Sequence, residues 1–165
     1  MGGRLALLFA KRYPRKVKRL IIISSHLGLQ NPSERKKRWK QDKIWAEKLQ
    51  KEPMETFLNN WYSQSVLQSV GKVKRTRNIF PKEAAKVLLG LSTAKQQNLT
   101  EELSSLPQQI LFICGSEDEK YSLLYSKIPH LPHIRVLTLS GVGHAPHLET
   151  PQLFAKEVLQ FLKTG

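Results

Sequence analysis

Three short, uninterrupted apolar runs constrain this chain more than any other feature. They are RLIIISS at 19–25, QILFIC at 109–114 and IRVLTL at 134–139. Runs of this length, rich in isoleucine and leucine, are the pattern of strands buried on both faces. Such strands belong to parallel sheets, whose crossovers are helical. Each run ends in small or polar residues (Ser24-Ser25, Gly115-Ser116, Ser140-Gly141), and open α/β sheets place their sites at those strand ends. A strong helix former, LALLFAK at 5–11, precedes the first run and stops before Tyr13-Pro14, because proline disfavours helix at the preceding residue. After the last run, residues 151–162 open with Pro at a helix start. They place Leu153, Phe154, Val158, Phe161 and Leu162 at helical spacing.

About eighty residues of a different texture separate the first two runs. The spacing predicts a charged helix over 33–51 with Trp39, Trp45 and Leu49 on one stripe. A second is predicted over 55–68 with Phe57, Leu58, Trp61, Tyr62 and Leu67, and a third over 81–95 with Ala84, Ala85, Leu88 and Leu91. A helical insertion between strands of a parallel sheet is a natural place for a lid or cap. The order of elements is α/β, and no internal repeat points to a solenoid. By length, 165 residues make one domain.

Charge is the compositional oddity. The chain holds 27 Lys+Arg against 13 Asp+Glu, a net +14, and the excess is uneven. Residues 1–100 carry 22 basic and 6 acidic side chains, a balance of +16, and residues 101–165 carry 5 and 7, a balance of −2. Solvated helix faces are the common explanation of such clusters. A nucleic-acid footprint would need a recognisable module, and there is no zinc-finger spacing, RRM-type aromatic motif or heptad array. Arginines gripping a small polyanion are a third reading, since the guanidinium fork matches carboxylates bidentately. One cysteine excludes a disulfide scaffold or Cys-rich zinc module and fits a reducing compartment. No apolar run approaches the ~20 residues of a membrane span and no signal-peptide pattern opens the chain, so the expectation is a cytoplasmic protein.

The chemistry gathers at the ends of the last two runs. One loop reads Gly115-Ser116-Glu117-Asp118-Glu119-Lys120-Tyr121, the next Gly141-Val142-Gly143-His144-Ala145-Pro146-His147-Leu148-Glu149. An acid after one strand and a histidine after the next is the arrangement that orients an imidazole as general base. Each has a plainer use alone, Asp118 as a turn former or helix N-cap and His144 as a structural loop histidine. Their joint placement, with glycine beside the histidine, favours a catalytic pair. Met1-Gly2-Gly3 running straight into a helix fits the residues just after the serine of a G-x-S-x-G nucleophile elbow, which precedes the acid and then the histidine in chain order. Cys114 reads as a small buried strand residue, His147 as a structural loop partner, and His26 as a structural residue of a strand-end loop.

The segments M-G-G-R (1–4), H-L-G-L-Q-N (26–31) with E-R-K-K-R (34–38), N-W-Y (60–62), R-T-R-N (75–78), G-S-E-D-E-K-Y (115–121) and G-H-A-P-H-L-E-T-P (143–151) carry a closer likeness. On them the chain resembles the 2-succinyl-6-hydroxy-2,4-cyclohexadiene-1-carboxylate (SHCHC) synthases, α/β-hydrolase-fold lyases of menaquinone and phylloquinone biosynthesis. The likeness runs from just after the nucleophile to the end. It implies an α/β-hydrolase fold lacking its N-terminal strands, with a helical cap insertion. Residues 1–30 would be the post-nucleophile helix and strand of the core, 31–100 the helical cap or lid, and 101–165 the C-terminal core carrying acid and histidine.

The resemblance also implies roles. Asp118 and His144 are the acid and base of a Ser-Asp-His triad, and the Met1 backbone belongs to the oxyanion site. Arg4, Arg38 and Arg75 are substrate-contacting arginines, with Arg77 the competing register for the third, and Trp61 and Tyr62 line the pocket. The implied substrate is a small tri-carboxylate bearing a succinyl chain, a ring carboxylate and an enolpyruvyl carboxylate. In the implied reaction the triad removes a ring proton and pyruvate leaves. No metal, other cofactor, nucleic acid or membrane is called for.

The family serine would stand immediately before Met1, and the N-terminal half that supplies the first strands is absent from the sequence. The expectation is therefore a truncated, impaired copy, inactive and poorly soluble alone, with strand 19–25 as an apolar edge, or one completed by a separately encoded N-terminal half. A generic α/β-fold esterase or C–C hydrolase fragment and a non-catalytic basic binding module are the competing readings.

Overall fold

The three apolar runs form one parallel sheet in the computed structural model, which describes residues 1–70 and 79–163 (the backbone alone for 68–70). Its strands are β1 (Arg19–Ile23), β2 (Gln109–Gly115) and β3 (Ile134–Leu139), in the spatial order β1-β2-β3. Ile22 is registered on Phe112, and Phe112 on Val136. The described chain divides into two units, residues 1–26 with 101–165, and residues 27–100.

The sheet unit also contains α1 (Gly2–Arg12), α5 (Glu119–Tyr125), α6 (Pro146–Glu149) and α7 (Pro151–Lys163). On one face Leu111, Ile113 and Leu139 form a core with Val142 and Phe161, and Phe154 and Val158 of α7 pack against it. On the other face Phe112 meets Tyr125 of α5, ring centroids 5.1 Å apart. Full burial on both faces holds for β2, from Ile110 to Gly115, but not for its neighbours. β1 buries only Leu20 and Ile22, and Val136 of β3 is 39% exposed. A central strand has a strand at each edge and helices across both faces, whereas water reaches the outer strands from the side. Leu153 and Leu162, expected on the packed stripe of α7, are likewise exposed.

At the start of α1, a Cβ on Gly3 would lie 2.7 Å from the Ser25 Cβ, so the helix can begin against the residues after β1 only because position 3 has no side chain. Farther along, α1 buries Leu7 and Ala10 and exposes Leu5 and Phe9, with Tyr13 next on the same stripe.

The helical unit comprises α2 (Pro32–Lys51), α3 (Met54–Tyr62) and α4 (Pro81–Gly90). Asn31 caps α2 by accepting a hydrogen bond from the Ser33 N–H at 2.8 Å, with Pro32 at the first helical position. Ala46, Leu49, Phe57 and Ala85 form its core, and Trp45 and Trp61 pack against them. The helix predicted over 55–68 stops at Tyr62 and gives way to a 3-10 turn, and the one predicted over 81–95 stops at Gly90. There the Ser92 hydroxyl accepts from the Ala94 N–H and substitutes a turn for further helix. Trp39 does not share the stripe of Trp45 and Leu49, because six residues along a helix bring a side chain back about 120° off. The ammonium groups of Lys43 and Lys95 sit over its ring instead, at 5.4 and 4.6 Å. No described helix is long and apolar enough to cross a membrane.

Candidate active site

Asp118 stands at the N-cap position of α5 but does not cap it. Its backbone carbonyl accepts from Tyr121 and Ser122, while its side chain makes no cap hydrogen bond. The buried carboxylate turns instead to His144, with Oδ2 2.6 Å from Nδ1.

The loop bearing His144 is held from both sides of that residue. The two carboxylate oxygens of Glu149 accept hydrogen bonds from the backbone N–H groups of Gly143 (2.7 Å) and Ala145 (2.8 Å). The acid loop is laced to the histidine loop. Ser116 N–H donates to the Leu139 carbonyl (2.8 Å), Glu117 N–H to Val142 (3.0 Å), and Gly141 N–H to the Ser116 hydroxyl (2.9 Å). The approach is so close that a Cβ on Gly115 would fall 1.9 Å from the Val142 carbonyl oxygen. The Tyr121 ring flanks the imidazole, centroids 5.2 Å apart.

A carboxylate can only accept, so the Asp118–His144 contact places the Nδ1 proton between them and the imidazole lone pair on Nε2. This orients Nε2 to take a proton from a hydroxyl or a carbon acid and stabilises the imidazolium that results. Close by, the Tyr125 hydroxyl accepts from the Ser25 N–H (2.7 Å) and donates to the Ser25 carbonyl (3.2 Å), tying the segment after β1 to α5. That segment includes Ser24 at φ +39°. Burial pushes the Tyr125 phenol well above its ordinary value and raises the Cys114 thiol.

A putative SHCHC synthase of Haemophilus influenzae is 31% identical to the chain, covering 96% of this chain and 66% of its own length. One from Bacillus subtilis is 31% identical over 98% of this chain and 63% of its own. The solved structure of MenH from S. aureus superposes with a TM-score of 0.88 at 26% identity, over 98% of this chain and 64% of that one. The chain is an α/β-hydrolase-fold relative of the SHCHC synthases. An esterase from Thermogutta terrifontis shares the fold alone, with a TM-score of 0.72 at 18% identity. No family model matches the chain. This α/β-hydrolase-fold chain spans slightly less than two thirds of the length of the curated relatives named here.

The other residues singled out in the sequence fall in both units. Met1 precedes α1, its carbonyl accepting from the Arg4 N–H at 3.2 Å, and Arg4 is half-buried in the first turn. In the helical unit, Arg38 donates through Nε to Asp42 at 2.8 Å. Trp61 stacks on Phe57 (5.8 Å) and meets Trp45 edge-on (5.2 Å), and Tyr62 is half-buried beside it in sequence. Arg75 and Arg77 lie outside the described residues. Cys114 is a fully buried strand residue, and His147 packs on Phe154 at 6.0 Å. His26 is half-buried after β1. Sequence reasoning passed over Glu149, although its place at the end of the G-H-x-x-H-x-E run was the available signal. Among the described residues no group of three or more His, Cys, Asp or Glu is arranged to hold a metal.

Proposed function

We propose that this chain carries the acid and base of an SHCHC synthase and much of its carboxylate-binding surface. The observation that supports this reading is the 2.6 Å contact between Asp118 and His144, in a chain whose relatives bear that name. The reaction is elimination. His144 Nε2, acting through the triad serine, takes a proton from the substrate ring. The electron pair left on carbon forms a new ring double bond, the bond from the ring carbon to the enolpyruvyl oxygen breaks, and the enolpyruvate that leaves takes up a proton on its methylene carbon to become pyruvate. Arg4, Arg38 and Arg75 bind the three carboxylates, Trp61 and Tyr62 contribute apolar walls, and the Met1 N–H belongs to the oxyanion site.

On the family resemblance, the serine occupies the position immediately before Met1. A polypeptide of these 165 residues made without that serine is expected to turn over substrate several orders of magnitude more slowly than one that includes it. The test follows pyruvate release from the SHCHC precursor by this chain and by the same chain joined to the part of the Haemophilus relative that it does not cover. The expected result is turnover only in the extended protein, abolished by His144→Ala. Turnover that survives His144→Ala would falsify the reading.

A further inference from the structure

The helical unit contains a buried carboxylate that the proposed reaction does not use. Asp42, on α2, is 1% exposed, and both its oxygens are engaged. Oδ1 accepts from Arg38 Nε at 2.8 Å, and Oδ2 from the Ser92 hydroxyl at 2.6 Å. Ser92 is itself buried and fixed, because its Oγ also accepts from the Ala94 N–H at 3.1 Å. Arg38 is the charged partner that balances Asp42, and its side chain is 39% exposed against 2% for the aspartate. A guanidinium has five N–H donors, and this one spends its Nε–H on Asp42. Its two terminal amino groups make no hydrogen bond to a described residue.

Burying a carboxylate is costly, and an apolar residue of similar size commonly packs as well or better. What the buried aspartate does supply is direction. A guanidinium gripped side-on at Nε by a fixed carboxylate loses rotation about its long axis. Its end-on edge, the Nη1/Nη2 fork, is then pointed one way, and that edge has the bidentate spacing of a carboxylate.

The geometry points to Asp42 and Ser92 as positioning residues that set the Arg38 fork to receive a carboxylate of the substrate. This inference rests on the proposed SHCHC synthase reading for the identity of that substrate. It does not rest on it for the existence of the fork.

Arginine Nε–H resonances of the isotope-labelled 165-residue chain test it directly. Spectra are recorded for the native sequence, Arg38→Lys, Asp42→Asn, Asp42→Glu, Ser92→Ala and Ser92→Thr. Each protein is titrated with succinate and, separately, with SHCHC. The expected native spectrum has a downfield, slowly exchanging Nε–H signal, distinct from that of Arg35 whose Nε donates to the Leu29 carbonyl at 2.7 Å, that disappears in Arg38→Lys and Asp42→Asn. Succinate moves that signal, and its dissociation constant rises about tenfold or more in Asp42→Asn and by a smaller factor in Ser92→Ala. Asp42→Glu and Ser92→Thr recover part of each loss, which a purely structural role would not produce at equal thermal stability. Should Asp42→Asn fail to fold, Ser92→Ala decides alone, since it keeps both charges and removes only the two hydrogen bonds of the Ser92 hydroxyl. Unchanged succinate affinity in the folded variants overturns the inference. Succinate binding at Arg38 without SHCHC binding keeps the fork and removes the SHCHC reading. A succinate titration that leaves Arg38 unmoved overturns the fork whatever SHCHC does.

Discussion

The Asp118 carboxylate turns away from the helix that its own backbone begins, and that single rotamer brings it to the His144 imidazole instead. Replacing it with asparagine keeps the shape but lets the imidazole adopt the other tautomer. In an extended, active protein, Asp118→Asn is expected to lower kcat by about 10³–10⁴, by analogy with serine proteases, measured as pyruvate release at saturating substrate. Glu149 acts one step farther out. Glutamine offers one acceptor where the backbone presents two N–H donors, so Glu149→Gln should cost about 1–3 kcal/mol in chemical unfolding. At Gly115 the constraint is space rather than charge. A methyl there meets the Val142 carbonyl at 1.9 Å, so Gly115→Ala is expected to lower Tm sharply and to disorder both loops in the amide spectrum. The meeting of Asp118 and His144 was legible because strand ends, loop composition and chain order all converge on those two residues. Glu149 was not, because a glutamate near a histidine looks the same whether it faces water or the main chain. Asp42 was hidden for a related reason. An aspartate four residues after an arginine reads as an ordinary surface pair, and only tertiary packing reveals that it is buried.

Strands and helices were legible to different degrees for a reason that concerns their neighbours. All three strands announce themselves by apolar runs, yet only β2 is buried continuously, from Ile110 to Gly115, and a run of letters does not say which strand lies in the middle. The energetic counterpart is testable. Phe112→Ala, at a fully buried site between helix and sheet, should cost about 3–5 kcal/mol by denaturant unfolding. Val136→Ala, on exposed β3, should cost well under half of that. In the helical unit the starts were readable from Asn31-Pro32 and Phe80-Pro81, since proline suits a first turn. The ends were missed because Val66, Leu67 and Leu91 continue the apolar spacing, whereas the hydroxyls of Ser63 and Ser92 make local turn hydrogen bonds that compete with further helix.

At the scale of the whole molecule, the net charge of +14 separates into a basic first hundred residues and a slightly acidic remainder, and the proposed reading gives three of the arginines a ligand. Arg4→Ala and Arg38→Ala in an extended, active protein should abolish turnover of the tri-anionic substrate while sparing a neutral ester, compared as kcat/KM; equal losses on both would favour a generic esterase. The pH response of the fold should run through Tyr125. Its folded pKa is raised above the ordinary 10.0, so its contribution is complete below that pH. It is lost as pH rises further, since the unfolded chain ionises first. Unfolding free energy should therefore fall above about pH 10, and the slope should flatten in Tyr125→Phe. The Asp118–His144 bond carries a last consequence. A proton held across 2.6 Å between an imidazole and a buried carboxylate should resonate far outside the amide envelope. It would then act as a beacon for the site that stays visible whether or not a substrate is being turned over, so the meeting of the two loops can be followed without any assay of activity.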